Sequence, residues 1–279
     1  MPNPNLFGSG LCAAYSRRLL LTATLFLVPL TAHTQEQDED HDHDHLHFSH
    51  PLVTESPTPD TKLRLDFLGV RTSGPAGLQE NTFRLEGEYA FNHSVSLAIV
   101  TPFVFRTAPA AERASGLGSV ELSLKAASLA FGERGLLLGG GLSAGLPTGS
   151  DKKAIGSAHI VELEPFIDAG YKRDALELVG FALLSSTFHR QAGEEAERNL
   201  TFDFSALYRL RSRLEGLIEI ATTQALIGAA SGSQQTFVAP GVKVYPFTNK
   251  KFMFGASLEL GIGAVRDTRA LLLSGFYHF

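Results

Sequence analysis

Arg269-Ala270-Leu271-Leu272-Leu273-Ser274-Gly275-Phe276-Tyr277-His278-Phe279 is the stretch that decides the fold. Leu271, Leu273, Tyr277 and Phe279 share one face at a period of two residues, the repeat of a β-strand. A strand edge this apolar, left uncovered, would recruit other chains and aggregate. Closing the sheet on itself removes the edge. The stretch therefore predicts the closing strand of a barrel. A strand of a soluble sandwich is the competing reading, and the rest of the chain decides between them.

Upstream, the same alternation returns at regular intervals. Leu63, Leu65 and Phe67 oppose Lys62, Arg64 and Asp66; Phe83, Leu85 and Tyr89 oppose Arg84, Glu86 and Glu88. Leu122 and Leu124 oppose Glu121, Ser123 and Lys125. Val161, Leu163 and Ile167 oppose Glu162, Glu164 and Asp168; Phe202 and Phe204 oppose Asp203 and Ser205; Ile218 and Ile220 oppose Glu215 and Glu219. Strands are predicted at 62–70, 82–91, 94–105, 119–130, 135–146, 159–171, 175–188, 199–208, 214–223, 236–245, 252–265 and 269–279. The register of 175–188 is undecided, because both of its faces are apolar.

The breaks alternate between long and short as far as residue 235, after which 246–251 is intermediate and 265–269 is short against the trend. Residues 72–80, 106–117, 147–158, 189–198 and 224–235 are long; 92–93, 131–134, 172–174 and 209–213 are short. Short turns on one side and longer loops on the other characterise barrels of the bacterial outer membrane. In lipid every backbone group must pair within the protein, so a closed sheet is the form such strands can take. The expected fold is all-β: a transmembrane, antiparallel, up-and-down β-barrel of about twelve strands spanning 61–279. Its apolar faces meet lipid. Its charged faces turn inward, which makes Arg64, Asp66, Arg84, Glu86, Glu88, Glu121, Lys125, Glu162, Glu164, Asp168, Asp203, Glu215, Glu219, Lys243 and Glu259 the lumen-lining candidates. Tyr89, Tyr171, Tyr208 and Tyr277 fall near the short turns, where an interfacial aromatic girdle belongs.

The first residues have a different composition. Arg17 and Arg18 precede the apolar run 19–30, and Thr31-Ala32 offers a small-residue cleavage point. Residues 1–32 are expected to be a signal peptide. The apolar run is shorter than the ~20 residues a spanning helix needs. Cys12 is the one cysteine and lies ahead of that run, so the exported chain needs no disulfides. Residues 33–60 read as a disordered linker rich in His and Asp. His41, His43, His45, His47 and His50 are candidate ligands for weak transition-metal binding. No other cofactor is indicated.

An apolar alternation ending on Phe279 resembles the C-terminal signature of bacterial outer-membrane barrels. The resemblance implies that Tyr277 and Phe279 form an assembly signal read by the barrel-assembly machinery. Two further stretches, Gly116-Leu117-Gly118-Ser119 and Leu146-Pro147-Thr148-Gly149, resemble motifs of the outer-membrane transporters grouped as the MetA-pathway of phenol degradation family. That family carries Asp where this chain has Ser119. The resemblance implies an outer-membrane channel or transporter, sometimes linked to aromatic compounds.

A net charge of -5 with no basic cluster argues against a nucleic-acid partner. His159 and His189 lie close in sequence to Ser157, Ser185 and Ser186, but no nucleophile motif accompanies them, so an enzyme is not expected. The expected function is a channel or transporter for small solutes, aromatic or hydrophobic compounds or cations among them, in contact with outer-membrane lipid. The lumen of a twelve-strand channel could be narrow or plugged by the His-rich segment; the alternatives are a metal-handling protein whose His-rich tract concentrates cations at the barrel mouth, and a non-conducting structural barrel.

Overall fold

The computed structural model describes residues 46–279 except 74–76, 108–112, 132–133 and 192–193. The expected signal peptide and His41, His43 and His45 lie outside the described residues. The strands are β1 (Lys62–Thr72), β2 (Gln79–Asn92), β3 (Val95–Thr107), β4 (Ala114–Leu117), β5 (Glu121–Phe131), β6 (Leu136–Gly145) and β7 (Val161–Arg173), followed by β8 (Leu176–Phe188), β9 (Arg198–Arg211), β10 (Leu214–Ile227), β11 (Gln234–Val244), β12 (Phe252–Ile262) and β13 (Thr268–His278).

Each strand pairs antiparallel with its neighbours, and β13 closes onto β1 with Phe67 opposite Leu273. Twelve strands form the ring, all twelve at the positions the alternation predicts. The short β4 is the departure. It prolongs the place of β5 along β3, with Phe103 opposite Leu117 while Ile99 pairs with Leu122. Residues 118–120 interrupt the two, so the strand expected from residue 119 begins at Glu121. The closing strand ends at His278, and the Phe279 N–H still reaches Thr61 O at 3.1 Å.

Burial is inverted relative to a soluble protein. Ile218 is 50% exposed, whereas its neighbour Glu219 is fully buried. The two-residue period explains this: with one face in lipid, the other must point inward. The exposed band holds Leu65, Phe83, Leu124, Phe204, Ile218, Phe254 and Leu273, and Tyr89, Tyr171 and Tyr208 are exposed at its short-turn edge. Among the described residues no helix is long and apolar enough to cross a membrane. The doubtful register of β8 is settled by its pairing: Phe181 faces Asp168 and Asp203 of its neighbours, placing Glu177, Val179 and Ser185 inside.

This polarity gives a test. Leu122→Arg, Phe204→Arg and Ile218→Arg should each destabilise the folded barrel by roughly 2–4 kcal/mol, the cost of a charge at mid-membrane. Ser123→Lys, on the inner face, should cost clearly less. Urea titration of the lipid-embedded barrel measures both, and equal costs would overturn the assignment of faces.

Candidate functional site

The lumen is occupied. The linker reading of residues 33–60 fails from Leu46 onward: Phe48, His50, Leu52, Thr54, Ser56 and Thr58 are all buried inside the ring. This segment rises from the short-turn end as far as Thr54 and Glu55 and returns to Asp60. The Phe48 N–H donates to Thr58 Oγ1 at 2.9 Å, closing the two arms. Composition suggested solvation. A proline-rich segment without a sheet partner can nevertheless be buried when the wall supplies its hydrogen bonds.

The wall does so with charged side chains. Glu219 accepts from the backbone N–H groups of Leu52 at 3.2 Å and of Val53 and Thr54 at 3.0 Å. Ser205 Oγ adds a bond to the same carboxylate at 2.6 Å. Glu177 accepts from the Ser49 N–H at 2.7 Å. Lys172 donates to His47 O at 2.9 Å, Lys243 to His50 O at 3.1 Å, and Arg64 to Leu52 O. Two strand glycines make room: a Cβ on Gly170 would come 2.7 Å from the Phe48 ring, and one on Gly255 would collide with Leu52.

Inward charges also pair with one another, some across strands and some two residues along the same strand. Lys62 Nζ lies 3.2 Å from Glu86 and 2.6 Å from Glu88. Arg64 pairs with Asp66 at 2.8 Å, Arg84 with Glu86 at 2.8 Å, and Lys243 with Glu215 at 2.8 Å. Glu55, at the tip of the segment, reaches Arg84 at 3.7 Å and Lys125 at 3.6 Å. Glu121, Glu164 and Asp203 border the unfilled space beside that tip. Glu162 accepts from Ser185. Asp168 and Glu259 are buried farther along the wall, and neither carboxylate oxygen of Asp168 meets a hydrogen-bond donor among the described residues.

At the short-turn mouth, Asp60 gathers three imidazoles. Its Oδ2 is 2.7 Å from His278 Nδ1, 3.1 Å from His50 Nε2 and 3.5 Å from His47 Nε2. Burial alone would raise the Asp60 carboxyl, but the hydrogen bonds from His278, His47 and His50 hold it below the usual carboxylate range. Burial, aided by the nearby Lys62 ammonium, pushes His50 well below an ordinary histidine.

The two transporter-like motifs meet at the long-loop end. The Val120 N–H donates to Thr148 Oγ1 at 2.9 Å, and the Ser157 N–H donates to Ser119 Oγ at 3.2 Å. Nearby, His159 bridges two loops, with Nε2 at 2.9 Å from Glu194 and Nδ1 at 3.2 Å from Asp151. Ser157 Oγ is 3.4 Å from the same Nδ1 that Asp151 occupies, an arrangement that ties loops together rather than activating a nucleophile.

No family model and no curated protein sequence matches the chain. Among solved structures, the chain is similar to the COG4313 outer membrane channel from Pseudomonas putida F1, at 16% identity over 80% of this chain and 97% of that one, with a TM-score of 0.60. It is also similar to the β domain of the Bordetella autotransporter BrkA, at 13% identity over 78% and 99% of the two chains, with a TM-score of 0.53. The NanC porin follows at 10% identity over 77% and 100%, with a TM-score of 0.51. A channel, a porin and a translocator share this architecture, so the likeness establishes the closed antiparallel β-barrel fold.

Sequence reasoning missed Glu55, Asp60 and Glu177. The first two sat in the supposed linker and the third on the strand of undecided register. Gly170 and Gly255 were the available signal, since a glycine inside a strand marks a close approach.

Two outcomes are expected. Glu219→Ala removes the acceptor of three backbone N–H groups and should weaken docking of the segment by about 1–3 kcal/mol. Limited proteolysis should then cut within 46–60 while the barrel stays folded; unchanged protection would contradict the role given to Glu219. The second concerns pH. The hydrogen bond to Glu194 leads the interactions that raise His159 above its ordinary value. The loop tie is therefore complete below the unfolded histidine pKa and is lost as pH rises through the elevated folded value. An NMR titration should place His159 above a model histidine and show Glu194→Gln lowering it.

Proposed function

We propose that the chain is an outer-membrane channel for small solutes whose short-turn end is closed by its own residues 46–60. Short turns face the periplasm in barrels of this type, so the plug stands at the periplasmic mouth. The observation carrying this reading is the passage left beside the plug tip. Two cavities of about 80 and 50 Å³ lie between the plug tip and strands β2 to β10, bordered by Glu55, Arg84, Glu121, Lys125, Glu164 and Asp203.

The passage has two characters. Glu55, Glu86, Glu88, Glu121, Glu164 and Asp203 outnumber Arg84 and Lys125 around it. Carboxylates along a pore favour cations. Phe166, Phe181 and Leu183 border the same space, the two rings 5.3 Å apart. A lining that mixes acidic and apolar side chains suits small cations and compact aromatic or amphipathic solutes, in keeping with the resemblance carried by 116–119 and 146–149. Assembly on the barrel machinery, guided by Tyr277 and Phe279, belongs to the same reading and gains support from the seam bond of Phe279 to Thr61.

The dense bonding of the plug favours one rival, a barrel that never conducts. Planar-bilayer recording decides between them. The full chain should show small conductance, a chain lacking 46–60 a larger one, and a KCl gradient a reversal potential on the cation side. Clear anion preference, or silence from both chains, would overturn the proposal.

A further inference from the structure

We infer that His47, His50 and Asp60 of the plug and His278 of β13 form a transition-metal site that fastens the plug to the barrel wall. Ligand atoms of His47, His50 and Asp60 lie within 4.8 Å of one another, and His278 Nδ1 is 2.7 Å from the same Asp60 oxygen. Nitrogen and oxygen ligands around tetrahedral zinc, each at 2.0–2.2 Å, sit roughly 3.4 Å apart. The 3.1 and 3.5 Å separations of the His50 and His47 nitrogens from Asp60 already match that spacing. Three imidazoles and one carboxylate suit Zn²⁺, Cu²⁺ or Ni²⁺ and leave Mg²⁺ and Ca²⁺ poorly served.

The surroundings favour such a site. His50 is buried and His278 is partly covered, which limits competing water, while His47 at the rim is open to an arriving ion. Lys62 Nζ stands 3.3 Å from His50 Nδ1 and already contacts Glu86 and Glu88. A metal on Nε2 puts the imidazole proton on Nδ1, and Lys62 then turns wholly to those carboxylates. Three ligands come from the plug and one from the last strand, so the ion would cross-link the plug to the wall at the mouth. The site involves Asp60 and His278, which the alternating tract 41–45 does not contain, and binding requires only the folded mouth. Control of conductance by the ion rests in addition on the channel reading.

The experiment uses the purified full chain, folded in detergent, with His41, His43 and His45 replaced by alanine to silence the upstream tract. Zn²⁺ is titrated in competition with a chromophoric chelator, and Co²⁺ replaces it for visible absorption. One equivalent should bind, with the intense Co²⁺ band of four-coordinate geometry. His47→Ala and His278→Gln should each lower affinity at least tenfold. His47 is exposed, so its replacement leaves the fold intact, and heat-modifiable migration checks this for both variants. Loss of all binding on silencing the tract, or unchanged affinity in either variant, overturns the site. Conductance is read separately: with binding intact, a failure of Zn²⁺ to lower it counts against the channel reading and not against the site.

Discussion

A carboxylate turned into a closed barrel has to find donors there, because leaving it buried and unpaired costs several kcal/mol. Glu219 finds them in three consecutive backbone N–H groups of the plug. The need is mutual. The plug has no sheet partner, and its N–H and C=O groups depend on Glu177, Glu219, Lys172, Lys243 and Arg64. Wall and plug each supply what the other lacks, and the arrangement of the mouth follows from that exchange.

The exchange is uneven around the ring. On β1, β2 and β3 the charges largely neutralise one another, with Lys62 and Arg84 held between acids. On β10 and β11 they are spent on the plug. The wall from β5 to β9 keeps its acids with fewer bases beside them, and there the unfilled space lies. The position of that space thus follows from where the fixed charges are already engaged.

Most of the fold was legible because period-two alternation under lipid is a strong constraint. Leu122 and Glu121, or Ile218 and Glu219, can exchange faces only by a register slip that would put charge into the membrane. The short β4 escaped because Gly118, Ser119 and Val120 break pairing without breaking the apolar pattern. The plug escaped for a deeper reason. Thr54, Glu55 and Ser56 look like a solvated loop, and nothing local distinguishes water from a wall of carboxylates as their partner. The inward-facing candidates of the site were readable strand by strand. Their partners were not, since Glu219 and Val53 are 166 positions apart.

That separation has a consequence for how the molecule forms. The plug leaves the ribosome before any strand it touches, yet its anchors on β8, β10, β11 and β13 exist only once the ring is nearly complete. Such distant contacts are slow to form, because their loop-closure entropy is lost before they repay it. The strand pairings of the ring run through no residue of the plug, so docking of the plug is separable from closure of the sheet. The two parts of this single chain then possess different stabilities, and the weaker can come undone while the stronger remains in the membrane.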